Sequence, residues 1–210
     1  MSLYLVTGGA GFIGSNIVEE LLKQNARVRV LDNLATGKRE NLETFKSKIE
    51  FLELDICNLS DLKVAMKGVQ FVFHQAAIPS VPKSILDPIA SHNADLTGTL
   101  HVLWAAKQAG VERVVYAGSS SVYGDSQVLP KREDLPAKPI SPYGLMKYAG
   151  EEYGRLFNSL YGLETVSLRY FNVFGPRQDP DGAYAAVIPK WIASLLKHEP
   201  VYINGDGETT

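Results

Sequence analysis

Short apolar runs alternate along this chain with longer stretches in which apolar residues recur every three or four positions. Residues 3–7 (LYLVT), 27–31 (RVRVL), 49–54 (IEFLEL), 71–75 (FVFHQ), 113–118 (RVVYAG) and 164–170 (ETVSLRY) have the length and β-branched character of strands. Between them, helical spacing covers about 11–24, 60–67, 88–109 and 142–161. Strands that alternate with helices predict parallel strands joined by crossovers, hence a doubly wound α/β sheet. Most of the strands are near-continuous apolar runs, as a sheet covered on both faces requires. After Phe174 the rhythm changes: GPRQDPDGAYAAVIP reads as a long loop, followed by a helix over about 184–197 and a strand at 201–203 (VYI). The pattern therefore divides into 1–174 and 175–210. The second part reads as the start of a smaller, incomplete C-terminal piece.

The loop after the first strand carries Gly8-x-x-Gly11-x-x-Gly14 and opens a helix. This is a variant of the dinucleotide fingerprint of Rossmann-like folds, in which glycines allow a tight turn and close approach to a pyrophosphate at a helix N-terminus. Asp32 ends the second strand, 24 residues after Gly8. A carboxylate there can bind ribose hydroxyls and repels a 2′-phosphate, which favours NAD over NADP. Other strand ends face the same side. Asp55-Ile56 follows the third strand and Gln75-Ala76 the fourth; at the latter, tight packing under a loop explains small residues equally well.

Tyr143 and Lys147 are four apart on a helix, so they share a face. A cation beside a phenol is expected to lower its pKa, making a base that can take a proton from a sugar or alcohol hydroxyl. Ser119, at the end of the fifth strand, can share the hydrogen bond to that oxygen. By itself the Tyr-x-x-x-Lys spacing also describes a surface lysine beside a half-buried tyrosine; the surrounding motifs favour the chemical reading.

Composition narrows the function classes. A net charge of −2 with scattered basic residues leaves no nucleic-acid footprint, and no apolar run reaches membrane-spanning length. No signal peptide is visible at MSLYLVTGG. Cys57 is the only cysteine, so no internal disulfide can form, which fits a reducing cytoplasm. No Cys/His spacing suggests a metal. His74 reads as a packed core histidine, and Tyr116 and Tyr123 as packing residues.

TGGAGFIG (7–14), Asp32-Asn33, Asp55-Ile56, HQAA (74–77), SSSVYG (119–124), YGLMK (143–147) and RYFNVFG (169–175) together resemble the extended short-chain dehydrogenase/reductase family. Within it the chain is most similar to the NAD-dependent nucleotide-sugar 4-epimerases; RQDPDGAYAAVIPKW (177–191) and VYINGDGET (201–209) resemble the branch acting on UDP-N-acetylhexosamines. The resemblance implies that Ser119, Tyr143 and Lys147 are catalytic. It implies NAD contacts at Gly8, Gly11, Phe12, Ile13, Asp32, Asn33, Asp55, Ile56, Gln75, Ala76 and Asn93, with Tyr143 and Lys147 touching the nicotinamide ribose. It implies UDP-sugar contacts at Ser80, Ser120, Ser121, Tyr143, Asn172, Ala186, Val187, Lys190, Tyr202 and Asn204. It further implies a homodimer in which helices 88–109 and 142–161 pair as a four-helix bundle.

One departure bears on subfamily. Related 4,6-dehydratases carry an Asp-Glu pair where this chain has Ser120-Ser121. Two hydroxyls cannot replace an acid and a carboxylate in eliminating water. The expected activity is 4-epimerisation of a UDP-hexose or UDP-N-acetylhexosamine through a 4-keto sugar. The alternatives are a UDP-glucuronate 4-epimerase, another nucleotide-sugar oxidoreductase or dehydratase, or a dinucleotide-binding sensor without catalysis.

Overall fold

A computed structural model of the chain describes residues 2–179 and 187–203. Two units are distinguished, Met1–Phe171 and Asn172–Thr210. Among the described residues of the first unit, six strands form one parallel sheet: β1 (Leu3–Thr7), β2 (Arg27–Leu31), β3 (Ile49–Leu52), β4 (Phe71–His74), β5 (Arg113–Ser119) and β6 (Glu164–Tyr170). Their order across the sheet is β3-β2-β1-β4-β5-β6. The chain leaves β1 toward β2 on one side and returns to β4 on the other. The carboxyl ends of β1 and β4 therefore flank the point where the winding reverses, where open α/β sheets bind ligands.

The alternation inside β1 explains the two faces. Leu3 and Leu5 join a core with Leu62, Val102, Val114 and Phe157, under α2 (Leu59–Ala65), α5 (Gly98–Ala109) and α6 (Pro142–Tyr161). Val6 joins Val18, Val28 and Val30 beneath α1 (Phe12–Lys23). Leu5, Val6, Val30 and Val72 are fully buried. Each such side chain contributes about 1.5–3 kcal/mol relative to exposure. Both faces are thus covered, as the apolar runs predict.

Local signals set the helix limits. Ser141 caps α6 by accepting from the Gly144 N–H, Pro142 occupies the first turn, and Gly162 ends the helix in the left-handed conformation. The single helix expected over 88–109 is interrupted. Here α4 (Pro88–His92) passes into a π turn at Asn93–Thr97 before α5 begins. Also outside the periodicity reading are α3 (Val81–Leu86), capped by Ser80, kinked 3-10 turns over Arg39–Lys48, and a 3-10 turn at Ser120–Tyr123.

In the second unit, α7 (Val187–Leu196) is helical as expected, whereas residues 201–203 form no strand; they make no ladder among the described residues. The Trp191 indole donates to the Tyr202 carbonyl at 3.2 Å. Among the described residues no helix is long and apolar enough to cross a membrane.

Candidate active site

The loop after β1 is fixed by backbone bonds before any ligand is considered. The Gly8 N–H donates to Leu31 O, the Gly11 N–H to Gly8 O, and the Ser15 N–H to Gly11 O. Gly8 lies at φ +67, and a Cβ there would stand 2.6 Å from the Ala76 nitrogen. The loops after β1 and β4 therefore touch backbone to backbone. Gly11, the N-cap of α1, has no side chain to cover the first N–H groups, those of Phe12 and Ile13 among them. The result is a shallow cradle of amide donors at the positive end of a 12-residue helix, which suits a pyrophosphate.

Asp32 is 6% exposed and already engaged: Oδ2 accepts from the Ala10 N–H at 2.9 Å and Oδ1 from the Leu34 N–H at 2.8 Å. Burial pushes its carboxyl up, and those two N–H groups pull it back. It ties the loop after β1 to the loop after β2 and retains lone pairs for ribose hydroxyls. Nearby, Asn33 Nδ2 donates to Asp55 Oδ2 at 3.0 Å at the surface. Ile56 differs from its neighbour: its side chain is buried against Gly98, in the core, so only its backbone can meet a ligand. The Gln75 amide is buried at the end of β4, with the Tyr170 phenol beside it as its neighbouring polar group. A buried amide at a strand end, with donor and acceptor capacity beyond one phenol, suits a polar ligand group. Asn93 is exposed, and its carbonyl accepts from Cys57 Sγ at 3.3 Å. Glycine cradle, carboxylate and buried amide together fit a dinucleotide.

The second cluster lies between β5 and α6. Lys147 is 3% exposed, and its Nζ donates to the Ala117 carbonyl at 3.0 Å and stands 5.7 Å from the Tyr143 ring centroid. The Tyr143 N–H donates to Ser84 Oγ at 3.1 Å, anchoring the start of α6 on α3. Ser121 approaches Ser119 through both its hydroxyl (2.8 Å) and its N–H (3.2 Å), so Ser119 Oγ accepts twice. With both lone pairs used, the Ser119 proton is left to donate toward the Tyr143 phenol beside it.

Tyr143 departs from the sequence expectation. Burial pushes the phenol up to about 12, the Ser119 hydroxyl beside it pulls it down, and the charge of Asp95 pushes it up again. Lys147 is itself lowered by burial and raised by Asp95. Desolvation sets the direction here, because the phenol is half-buried and not free on a helix surface.

A chain of hydrogen bonds links the two clusters. The Ala76 N–H donates to Thr7 Oγ1 (3.3 Å), which meets His74 Nδ1 (2.7 Å); His74 Nε2 meets Thr99 Oγ1 (3.0 Å), which donates to the Asp95 carbonyl (2.6 Å). Because the only Thr99 hydroxyl proton is spent on Asp95, His74 carries its proton on Nε2 and accepts at Nδ1. Burial, with the Lys147 charge adding to it, holds His74 neutral, its pKa lowered to about 3. Behind the serine turn, Arg169 of β6 pairs with Glu151 of α6 at 2.9 Å and lies 4.8 Å from the Tyr123 ring centroid.

Of the residues implied for a nucleotide sugar, Ser80 is buried, and its Oγ accepts from the Lys83 N–H at 2.9 Å, leaving its hydroxyl proton and one lone pair. Ser120 and Ser121 form the 3-10 turn after Ser119. In the second unit Asn172, Val187, Lys190 and Tyr202 are exposed. Ala186 and Asn204 lie outside the described residues. Sequence reasoning passed over Asp95, Thr7 and Thr99; their polarity inside apolar stretches was the available signal.

Comparison with known proteins bears on these clusters. The NAD dependent epimerase/dehydratase family matches residues 4–210. A UDP-glucose 4-epimerase of Mycolicibacterium smegmatis is 41% identical over 211 residues, covering 98% of this chain and 67% of that protein. The structure of a UDP-N-acetylglucosamine 4-epimerase from Methanobrevibacter ruminantium in complex with UDP-N-acetylmuramic acid superposes with a TM-score of 0.93 at 41% identity, over 99% of this chain and 66% of its own. A UDP-glucose 4-epimerase from Thermotoga maritima, solved with UDP-glucose, gives 0.91 at 38% identity, over 98% and 67%. The chain thus spans about two thirds of the length of these relatives.

Proposed function

The chain belongs to the NAD-dependent epimerase/dehydratase family, and on that premise we propose that it carries the cofactor and proton-transfer machinery of a UDP-sugar 4-epimerase. The observation that carries the reading is the joint placement of Ser119, Tyr143 and Lys147 with serines at 120 and 121. Gly8, Gly11, Phe12 and Ile13 hold the pyrophosphate of NAD, Asp32 the adenine ribose, and Asn33, Asp55, the Ile56 backbone, Gln75, Ala76 and Asn93 the remaining contacts. When bound, NAD supplies a hydride acceptor and donor for carbon 4 of the sugar. Tyr143 Oη takes the proton from the sugar 4-hydroxyl and returns it after the 4-keto sugar has turned over. Ser119, whose lone pairs are engaged by Ser121, donates its hydroxyl proton to the same oxygen. Lys147, anchored on Ala117 O, keeps a cation at the ring face and at the nicotinamide ribose. Ser80, Ser120, Ser121, Asn172, Ala186, Val187, Lys190, Tyr202 and Asn204 are assigned to the UDP-sugar, so residues 175–210 begin its binding part.

Neutral serines at 120 and 121 favour epimerisation over dehydration, since neither can act as the acid or carboxylate that elimination needs. The exposed Trp104, Leu156, Leu160 and Tyr161 on α5 and α6 support burial against a second copy as a four-helix bundle. A cytoplasmic setting accords with the single unpaired Cys57. The test is interconversion of UDP-glucose with UDP-galactose, and of their N-acetyl counterparts, without added reductant. Only the two carbon-4 epimers are expected. Accumulation of a 4-keto-6-deoxy product, or deuterium at carbon 5 in heavy water, refutes the reading.

A further inference from the structure

The carboxyl end of β5 is held by two charged side chains from other elements. Arg169 stands opposite Gly118 in the β5–β6 ladder, one step before Ser119 meets Tyr170. Its guanidinium grips the Glu151 carboxylate as a fork: Nε donates to Oε1 and to Oε2 at 3.1 Å each, and Nη2 to Oε2 at 2.9 Å. The two side chains are only 17% and 10% exposed, so water screens the pair little. Gly118 makes room for it. A Cβ there would lie 3.0 Å from Glu151 Oε1 and 3.0 Å from Leu168 O. The carboxylate thus rests against the backbone of the residue that precedes Ser119.

Both ends of the pair reach the chemistry. On α6, Glu151 lies one turn after Lys147 and two turns after Tyr143, on the same face. Lys147 Nζ ties one turn of that face to Ala117 O, and Glu151 ties the next to Gly118 and β6. On its other side the guanidinium carbon stands 4.8 Å from the Tyr123 ring centroid. Tyr123 is buried and closes the 3-10 turn that Ser119 caps. Helix α6, strand β6 and the serine turn therefore meet at one guanidinium. A planar fork fixes direction as well as distance, which the point charge of an ammonium does not.

Resting on the reading of Ser119 and Tyr143 as the groups at the sugar oxygen, we propose that Glu151 and Arg169 are positioning residues whose fork sets the serine turn against α6, and so fixes where Ser119 Oγ stands relative to Tyr143. They act through the turn and the helix, not on the sugar. A buried pair that serves stability alone can be exchanged for apolar side chains of similar volume. A pair that serves direction cannot.

Two variants of the full chain separate these roles. Arg169→Lys keeps the cation and loses the fork. Glu151→Leu combined with Arg169→Met replaces the pair by apolar side chains, and leaves no unpaired buried charge to unfold the chain. Amide exchange of Ser121, whose N–H donates to Ser119 Oγ at 3.2 Å, is followed by NMR beside that of the fully buried Val30 in β2. In both variants the acceleration at Ser121 should exceed that at Val30 at least tenfold, and the apolar pair should keep a urea midpoint near the parent's. Equal acceleration at the two amides, or none at Ser121, overturns the proposal. With UDP-glucose as substrate, kcat should fall at least tenfold in both variants while KM and NAD affinity stay within about twofold. An unchanged kcat in the apolar pair also overturns it, since stability alone then accounts for the two residues. If Tyr143→Phe keeps its turnover, or the parent chain converts no UDP-sugar, the reading of the site falls, and exchange at Ser121 still decides whether the fork holds the turn.

Discussion

Two glycines of one motif should fail in different ways. A Cβ on Gly14 would lie 2.2 Å from Gly8 O, 2.8 Å from Gly8 C and 2.8 Å from Gly9 Cα, all backbone. Ordinary contact needs about a further ångström, and no rotamer can supply it, because the obstacle is the turn itself. Gly14→Ala must therefore push α1 away from the loop that Gly8 N–H, Gly11 N–H and Asp32 hold in place. Overpacking of this kind costs about 1–3 kcal/mol, and a rigid backbone obstacle places Gly14→Ala at the upper end. A Cβ on Gly11 meets only Gly8 O, at 3.2 Å, which a shift of a few tenths of an ångström relieves. That methyl would project over the amide donors at the start of α1. Gly11→Ala should thus melt within about 0.5 kcal/mol of the parent yet bind NAD at least tenfold more weakly. Urea unfolding followed by circular dichroism, with calorimetric titration of NAD, separates the two. Equal destabilisation by both substitutions, or unweakened NAD binding by Gly11→Ala, would refute the reasoning.

Other outcomes follow from the same geometry. Tyr143→Phe should leave urea stability and NAD affinity near the parent values while epimerisation falls by at least ~10²–10⁴-fold, measured as product formed per hour. Asp32 should exclude NADP, since a 2′-phosphate would meet a buried carboxylate; equal affinities in a fluorescence titration would contradict this. His74 makes stability pH-dependent. Its folded pKa lies below the unfolded 6.5, so the unfolded chain binds the extra proton between pH 6.5 and about 3, and stability falls as pH drops through that window. The contribution approaches about 1.4 kcal/mol per pH unit, and His74→Gln should flatten the slope of urea midpoints between pH 7 and 5.

Strand positions, sheet class and the glycine cradle were legible in the sequence because each rests on a local rule: apolar runs, alternation with helices, and Gly8-x-x-Gly11-x-x-Gly14 directly after a strand. The span 88–109 was also legible, but not its π turn, since five residues that wind more loosely leave no mark on a pattern of three and four. Asp95 was invisible for a related reason. Its burial comes from α6 closing over the π turn, a contact made between residues about fifty positions apart. The direction of the Tyr143 shift was misjudged because spacing on a helix reveals neighbours and not depth; α6 packs Tyr143 and Lys147 inward, where desolvation dominates. Ile56 likewise stands next to a strand end in sequence, yet its side chain turns into the core beneath Gly98.

The adjacency of β1 and β4 has a consequence for the order of events during synthesis. Thr7 pairs with His74 across the ladder, 67 residues later in the chain. The first strand therefore leaves the ribosome long before its inner neighbour exists. At about 5–20 residues per second the gap lasts several seconds. Over that interval β1 can be covered on one side only, by α1 and β2. Parallel pairings of such separation are slow to form, because loop closure comes before any contact rewards it. Slowing translation between residues 31 and 71 should lengthen the exposure of Leu3 and Leu5, and that is the interval in which a chaperone that recognises extended apolar segments would find this chain.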